Sequence, residues 1–433
     1  MADSISTQSA PFTRPHAIGW SWAFASQGGQ IIVQAASFLL LAKSLPVRDL
    51  GAFVGICAVT SILTPFAAMG TVNTLIKHVS RQSEQVAERW NKAVSASFWF
   101  GLLASLVAGV ACRLILPKSV PTYAIVALIF TELLAWRWTQ LIGMTLQGLH
   151  EIDRKSQFEM LVMCARAGAV LAFFLLSARH RTLTTWLAIY CGTGVLVAGL
   201  SMWRSVVRFG KPNLRRFPQA EELKEGFGFV LSPLTQTVNN DADKFLLARL
   251  ADLSTTAVYG TAYRILSAAF VPVQALLTVT YPQFFRQGRH GIRQASRLAA
   301  TWLPGALLYS SAASVVLFLC APVVVRILGP GYAETVSILR WLAVLPALKC
   351  VQFFCADSLT GADFQGLRVT MQSVVAAMNI LLNVVLIPQH GWWGAVAATL
   401  ISDTLLAFLL ATCVIRLHNR EQRSDQELAF PRP

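Results

Sequence analysis

The sequence predicts an all-α integral membrane protein, with twelve transmembrane helices in two pseudo-symmetric six-helix lobes around a central cavity. Three observations predict it. The 433 residues are 55% hydrophobic and only 13% charged, far less charge than a soluble surface of this size needs. Apolar stretches long enough to cross a bilayer recur along the whole chain. Short sequence features also return at a fixed spacing in the second half. The ten-residue alternation of a membrane barrel is absent.

The apolar segments run roughly over 18–42, 51–75, 94–116, 122–146, 158–178, 183–203, 227–250, 256–282, 302–325, 334–359, 367–389 and 391–415. The first seventeen residues, with Asp3 and Arg14 their only charges, lack a short apolar core followed by a small-residue cleavage site, so the first apolar segment is expected to be retained as a helix. The connections alternate in character. Leu250–Ser254 and Pro388–Gly391 are very short, whereas Lys77–Lys92, Glu151–Lys155, Arg204–Lys224 and Phe285–Arg297 are longer and basic. If both termini are cytoplasmic, the N-tail, the alternate loops and the C-tail hold most of the 36 Lys and Arg, which supports that orientation. The net charge of +15 is therefore a topology signal, and no nucleic-acid partner is expected. The expected division is an N-tail over 1–17, an N-lobe over 18–203, a basic cytoplasmic linker over 204–226, a C-lobe over 227–415 and a C-tail over 416–433. The polar, Arg-rich tail is expected to be disordered. The eight cysteines lack ligand spacing and read as small buried hydrophobes. No cofactor or metal is expected.

The halves echo each other. Leu40-Leu41-Ala42-Lys43, with Phe53 ten residues past the lysine, matches Leu246-Leu247-Ala248-Arg249 with Tyr259, at an offset of 206. Arg113, Gly148 and Lys155 return as Arg326, Gly361 and Arg368 at an offset of 213. Six helices are thus repeated. Because six is even, the repeat is parallel, with its axis along the membrane normal.

The stretch Phe227 to Leu266 is the most informative. Gln236, Asn240 and Asp243 share a stripe of one helix, with Lys244 beside it and Asp241 three residues from Lys244. At the offset of 206, Gln30, Gln34 and Ser37 fall on the matching face of helix one. Polar groups at this depth must face protein or water. Amide bonding between neighbouring helices accounts for any single one of them. Two stripes in register point to a hydrated cavity between the lobes.

The run Asn240-Asp241-Ala242-Asp243-Lys244-Phe245-Leu246-Leu247, followed by Tyr259, Ala262 and Arg264, resembles helices seven and eight of the polysaccharide (O-antigen, Wzx-like) flippases. These belong to the multidrug/oligosaccharidyl-lipid/polysaccharide exporter superfamily. Leu45-Pro46-Val47-Arg48-Asp49-Leu50-Gly51-Ala52-Phe53 and Arg326-Ile327-Leu328-Gly329-Pro330-Gly331-Tyr332 are similar to two external turns of that family. The resemblance implies alternating access in a bacterial inner membrane. It also implies a polyprenyl-pyrophosphate-linked oligosaccharide as cargo, membrane lipids around the protein, and a polysaccharide polymerase or glycosyltransferase as partner. The arginine-rich first two helices of lipid II flippases are not found here.

Such a cargo needs cations for its phosphates and hydrogen-bonding groups for its sugars. Arg137, Arg166, Lys244, Arg264, Arg340 and Lys349 fall within helices. The substrate-binding candidates are Gln30, Gln34, Arg166, Gln236, Asn240, Lys244, Arg264 and Lys349. Each cation has a bland reading as the partner of a helix carboxylate: Lys244 with Asp241, Arg264 with Asp243, Arg166 and Lys349 with distant helices. Asp243 and Asp241 are the ion-coupling candidates, among buried carboxylates that also include Glu132, Asp357 and Asp403. Trp136 and Trp138 read as lipid-facing, and Pro272, Pro304 and Pro322 as sites of helix bending. Two other functions compete. A drug or cation antiporter would share the fold. A membrane-embedded glycan-modifying enzyme would need a catalytic constellation, and Glu221, Glu222 and Glu225 of the longest loop have no His or Cys beside them in sequence.

Overall fold

The computed structural model describes residues 33–79, 84, 86–149 and 151–429. The predicted start of helix one, with Gln30, lies outside the described residues. The elements of the first half are α1 (Val33–Ser44), α2 (Val47–Leu63), α3 (Thr71–Val79), α4 (Val86–Ile115), α5 (Thr122–Phe130), α6 (Trp136–Gly148), α7 (Ile152–Leu175) and α8 (Leu183–Phe209). The second half contains α9 (Ala220–Leu250), α10 (Leu253–Ala269), α11 (Val271–Gly288), α12 (Ile292–Cys320), α13 (Val323–Leu328), α14 (Ala333–Leu342), α15 (Leu345–Gly361), α16 (Gln365–His390) and α17 (Trp392–Ala429). No strand occurs among the described residues.

Among these residues, eight helices are long and apolar enough to span a membrane, and two bent pairs bring the number to ten. The remaining two of the expected twelve are α1, described from Val33, and α9, whose 31 residues are long enough but carry the polar ladder. Side chains such as Leu106, Leu114, Leu175 and Leu308 are exposed on the outer faces, as a lipid solvent requires. The repeat is structural as well. Val47–Leu63 and Leu253–Ala269 are related by 206 at both ends. Gly148 and Gly361 end α6 and α15, and Ile152 and Gln365 begin α7 and α16, all at 213.

Several expected helices are broken, each for a local reason. Helix two stops at Leu63 and turns through a 3-10 segment, Thr64–Ala68, with Pro65 in its first turn. Helix eight bends by 51° between α10 and α11, where Pro272 lacks the N–H to continue the ladder. Helix ten bends by 46° ahead of α15, which opens on Pro346. Pro304, by contrast, is absorbed inside α12, and Pro322 precedes α13. The expected linker is largely helical at both ends, since α8 runs to Phe209 and α9 starts at Ala220 under a Gln219–Glu222 capping box.

The tail corrects an expectation. Arg416 to Ala429 continues α17 instead of being disordered. Glu421 accepts the Arg293 amide at 3.0 Å, and His418 meets Ser296 at 2.7 Å. These contacts to the start of α12 supply what composition alone lacked.

The halves meet closely at two places. A Cβ on Gly51 would stand 1.6 Å from the Leu253 carbonyl oxygen, so only glycine lets α2 lie this close to the start of α10. Tyr332, fully buried nearby, donates to the Ala42 carbonyl of α1 at 2.8 Å. At the opposite end, Gly70 has φ +71° and its Cβ would stand 1.9 Å from the Gly226 carbonyl oxygen. There Glu222 holds Arg89 at 2.5 Å and Lys92 at 3.0 Å, which ties α9 to α4. The space between these contacts holds the candidate site.

Candidate functional site

Helix α9 can carry its ladder because one side opens on a cavity of about 370 Å³ between α2, α9, α10 and α15. Gln236, Asn240, Asp241, Lys244, Arg264 and Lys349 all line it. Lys244 Nζ donates to Asp241 Oδ1 at 2.7 Å and to the Asn240 carbonyl, and stands 3.9 Å from the Tyr263 ring centre. The local pairing read from the three-residue spacing is therefore made. The Tyr263 hydroxyl and Lys349 Nζ both donate to Asn240 Oδ1, at 3.0 and 3.1 Å.

Asp243 does not line the cavity. It is 1% exposed and turns into the contact of α9 with α10 and α17. There it accepts the Tyr259 hydroxyl at 2.5 Å and the Lys244 amide at 2.7 Å, and Tyr259 also meets Thr399 at 3.1 Å. The anticipated pairing with Arg264 is absent among the described residues. Tyr259 and Arg264 are five residues apart, hence about 140° around α10, so they cannot serve one carboxylate together. Arg264 instead points at the Phe38 ring, 5.4 Å away.

Lys349 finds the distant partner its helix lacks. Its Nζ is 3.9 Å from Asp403 Oδ1, and Gln352 donates to the same carboxylate oxygen at 3.0 Å. Farther from the cavity, Asn379 bonds Ser402 at 3.2 Å and Asn383 bonds Asn379 at 3.0 Å. Lys244 and Lys349 are thus both compensated by carboxylates, as burial demands. Asp403 is legible as a carboxylate in an apolar helix. Gln352, Tyr263 and the identity of the Lys349 partner are not, because they meet across elements remote in sequence.

A second chamber of about 270 Å³ lies on the first-half side, lined by Gln34, Ser37, Arg166 and Tyr190. Arg264 borders both chambers. The two polar stripes therefore face the two chambers, except that Asp243 turns away. Arg166 stacks over Trp136 at 4.0 Å, its Nε buried without a hydrogen-bond partner. Trp136 is only 4% exposed, so it packs under Arg166 and not against lipid. A π-helical turn, Thr131–Ala135, carries Glu132, whose carboxylate accepts the Tyr190 hydroxyl. π-turns of this kind often mark functional positions. Neither Arg166 nor Arg264 makes an ion pair among the described residues. No group of three or more metal-ligating residues occurs among them. Glu225 lies 3.6 Å from His78, a neighbour its own loop does not reveal.

A family model described as polysaccharide biosynthesis protein matches residues 17–287. No curated protein matches the chain. In fold it is similar to the lipid II flippase MurJ in an inward closed conformation, with TM-score 0.73, 13% identity, and 92% of this chain and 87% of that chain covered. It is also similar to an inward-facing multidrug resistance MATE family transporter of the MOP superfamily, with TM-score 0.69, 14% identity, and coverage of 90% and 96%. The likeness to an outward-facing transporter of that description is lower, at TM-score 0.61 with 14% identity and coverage of 93% and 96%. With more than half of its length matched, the chain belongs to the polysaccharide biosynthesis protein family, as a multi-pass membrane protein with the fold of the MOP-superfamily transporters.

Proposed function

We propose that this protein flips a polyprenyl-pyrophosphate-linked oligosaccharide across the bacterial inner membrane by alternating access, in surface polysaccharide biosynthesis. Both termini then lie in the cytoplasm, and the lobes over 18–203 and 227–415 rock about the cavity. The observation that carries the reading is Arg264. It borders both chambers without an ion pair, beside Gln34, Gln236 and Asn240, which offer hydrogen bonds to sugars. Arg264 and Arg166 hold the pyrophosphate, because a guanidinium forks two phosphate oxygens at once. Lys244 and Lys349 are bound to their own carboxylates and set the field of the wall. Asp241 and Asp243 are the coupling groups: a proton or cation arriving there frees Lys244 or Tyr259 to change partners.

The test is translocation in proteoliposomes of a fluorescent polyprenyl-pyrophosphate oligosaccharide, followed by its access to an outside quencher. Arg264→Gln should slow translocation about tenfold, the loss of one charge-assisted contact, and Arg264→Lys should fall between. If wild-type protein leaves this lipid in place but expels lipophilic cations, it is an antiporter of the same fold.

A further inference from the structure

A third chamber of about 280 Å³ lies between the halves, beyond the central cavity and toward the start of α9. Ser61 lines both spaces, so they adjoin. Along α9 the central cavity takes Gln236 to Lys244, whereas this chamber takes Phe229, Val230 and Thr237. It therefore sits nearer the end where Gly70 meets Gly226. By loop charge, that end is cytoplasmic.

Among the described residues, its one charged lining residue is Arg137. Arg137 Nη1 donates to Gln140 Oε1 at 2.5 Å, and its Nε is buried without a hydrogen-bond partner. No carboxylate lines the chamber, and Arg137 makes no ion pair among the described residues. Asn73 and Gln140 add amides beside it. An arginine inside a membrane helix with no counter-charge is costly, and this residue does no visible structural work to offset that cost. Through Ser61 and then Arg264 the three chambers form one series. Arg137, Arg264 and Arg166 stand in it in that order, each without an ion pair among the described residues.

We propose that Arg137, with Gln140 and Asn73, forms an inner station that takes the pyrophosphate of a lipid-linked cargo before it passes Ser61 to Arg264. The station rests on the flippase reading for its cargo, but binding there is measured without transport. In this scheme the head group moves between fixed guanidinium groups, and the Gly70–Gly226 contact must part to admit it.

The experiment is binding of farnesyl pyrophosphate, farnesol and inorganic pyrophosphate to the full-length protein in nanodiscs. Wild type is compared with Arg137→Gln, Arg137→Lys and Arg264→Gln, with a melting temperature for each. The proposal expects Arg137→Gln to weaken farnesyl pyrophosphate about tenfold, Arg137→Lys to restore part of the loss, and farnesol to be unaffected. The Arg137→Gln melting temperature should be unchanged or higher, since an uncompensated charge is removed. Unaltered farnesyl pyrophosphate affinity in Arg137→Gln, with weaker binding in Arg264→Gln, overturns the station and leaves the flippase reading standing. A lower melting temperature in both Arg137 variants makes the residue structural and overturns it too. Inorganic pyrophosphate binding as tightly as farnesyl pyrophosphate overturns the lipid-linked source in favour of a free anion. Arg137-dependent binding in a protein that flips nothing sinks the flippase reading and keeps the station.

Discussion

The two halves repeat each other in backbone but differ in how their deeply placed cations are held, with Arg264 the second half's exception, bare toward the cavity. In the second half, Lys244 holds Asp241, Lys349 stands by Asp403, and Arg368 lies 3.6 Å from Asp357. In the first, Arg137 and Arg166 reach only an amide and an indole ring. The same fold can therefore house compensated cations, Lys244, Lys349 and Arg368, beside bare ones, Arg137, Arg166 and Arg264. A neutralised lysine adds little net attraction for an anion, whereas a bare guanidinium keeps its full field in a low dielectric. Under the proposed function, the difference reserves the bare arginines for cargo phosphates and the lysine pairs for internal rearrangement. It also predicts which substitutions damage the fold and which damage only transport.

The largest effect should come from breaking a compensated pair. Asp403 is 3% exposed, and Asp403→Ala leaves Lys349 buried beside Asn240 alone. A loss of about 3 kcal/mol is expected, read as a lowered unfolding midpoint in detergent. Replacing both partners, Lys349→Met with Asp403→Leu, should recover most of that stability while transport stays impaired. If Asp403→Ala unfolds at the wild-type midpoint, the second half is not held by compensated charge, and the contrast between the halves fails.

An intermediate effect, on a different observable, is expected from the bare side. Arg166→Gln removes a cation that no carboxylate balances, so the unfolding midpoint should move little. Translocation of the pyrophosphate-linked lipid should nevertheless fall about tenfold. A midpoint lowered as far as in Asp403→Ala would show that Arg166 is a structural partner of the Glu132–Tyr190 pair.

Much of this is legible in the sequence. The period of the α9 ladder, the spacing of Asp241 and Lys244, and the two offsets all survive in the structure, because each depends on residues within one helix or on whole-helix repetition. Contacts between helices were not legible. Nothing near Lys349 in sequence announces Asp403, and nothing near Asp243 announces that Tyr259 turns it away from the cavity. The helix breaks divide the same way. Pro272 marked one openly, whereas the break before Pro346 lay inside a stretch that reads as one continuous apolar helix. The helix of the tail is not legible because its composition is polar, while its order comes from Glu421 and His418 docking on α12.

The smallest effect serves as a control within the first half. Outside the membrane segments, Glu151 binds Arg208 through both carboxylate oxygens and Arg154 at 3.0 Å. The Arg208 hydrogen bonds, then its charge, then Arg154, hold the Glu151 carboxyl below the ordinary carboxylate range. A carboxyl lowered on folding adds stability that is fully present above its unfolded value, near 4.3. That stability is lost as pH falls through the lower folded value. The pair is largely solvated, with Glu151 27% exposed and Arg208 37%, so the contribution should be below about 1 kcal/mol. Glu151→Gln should thus lower the unfolding midpoint slightly at pH 7, and the difference from wild type should fade at acid pH, as pH falls through the lowered folded value. In contrast, Arg166→Gln should show the same small difference at neutral and acid pH, since no carboxylate is paired with Arg166. A pH-dependent difference for Arg166→Gln would mean that a first-half carboxylate does balance it, and the division between bare and compensated cations would have to be redrawn.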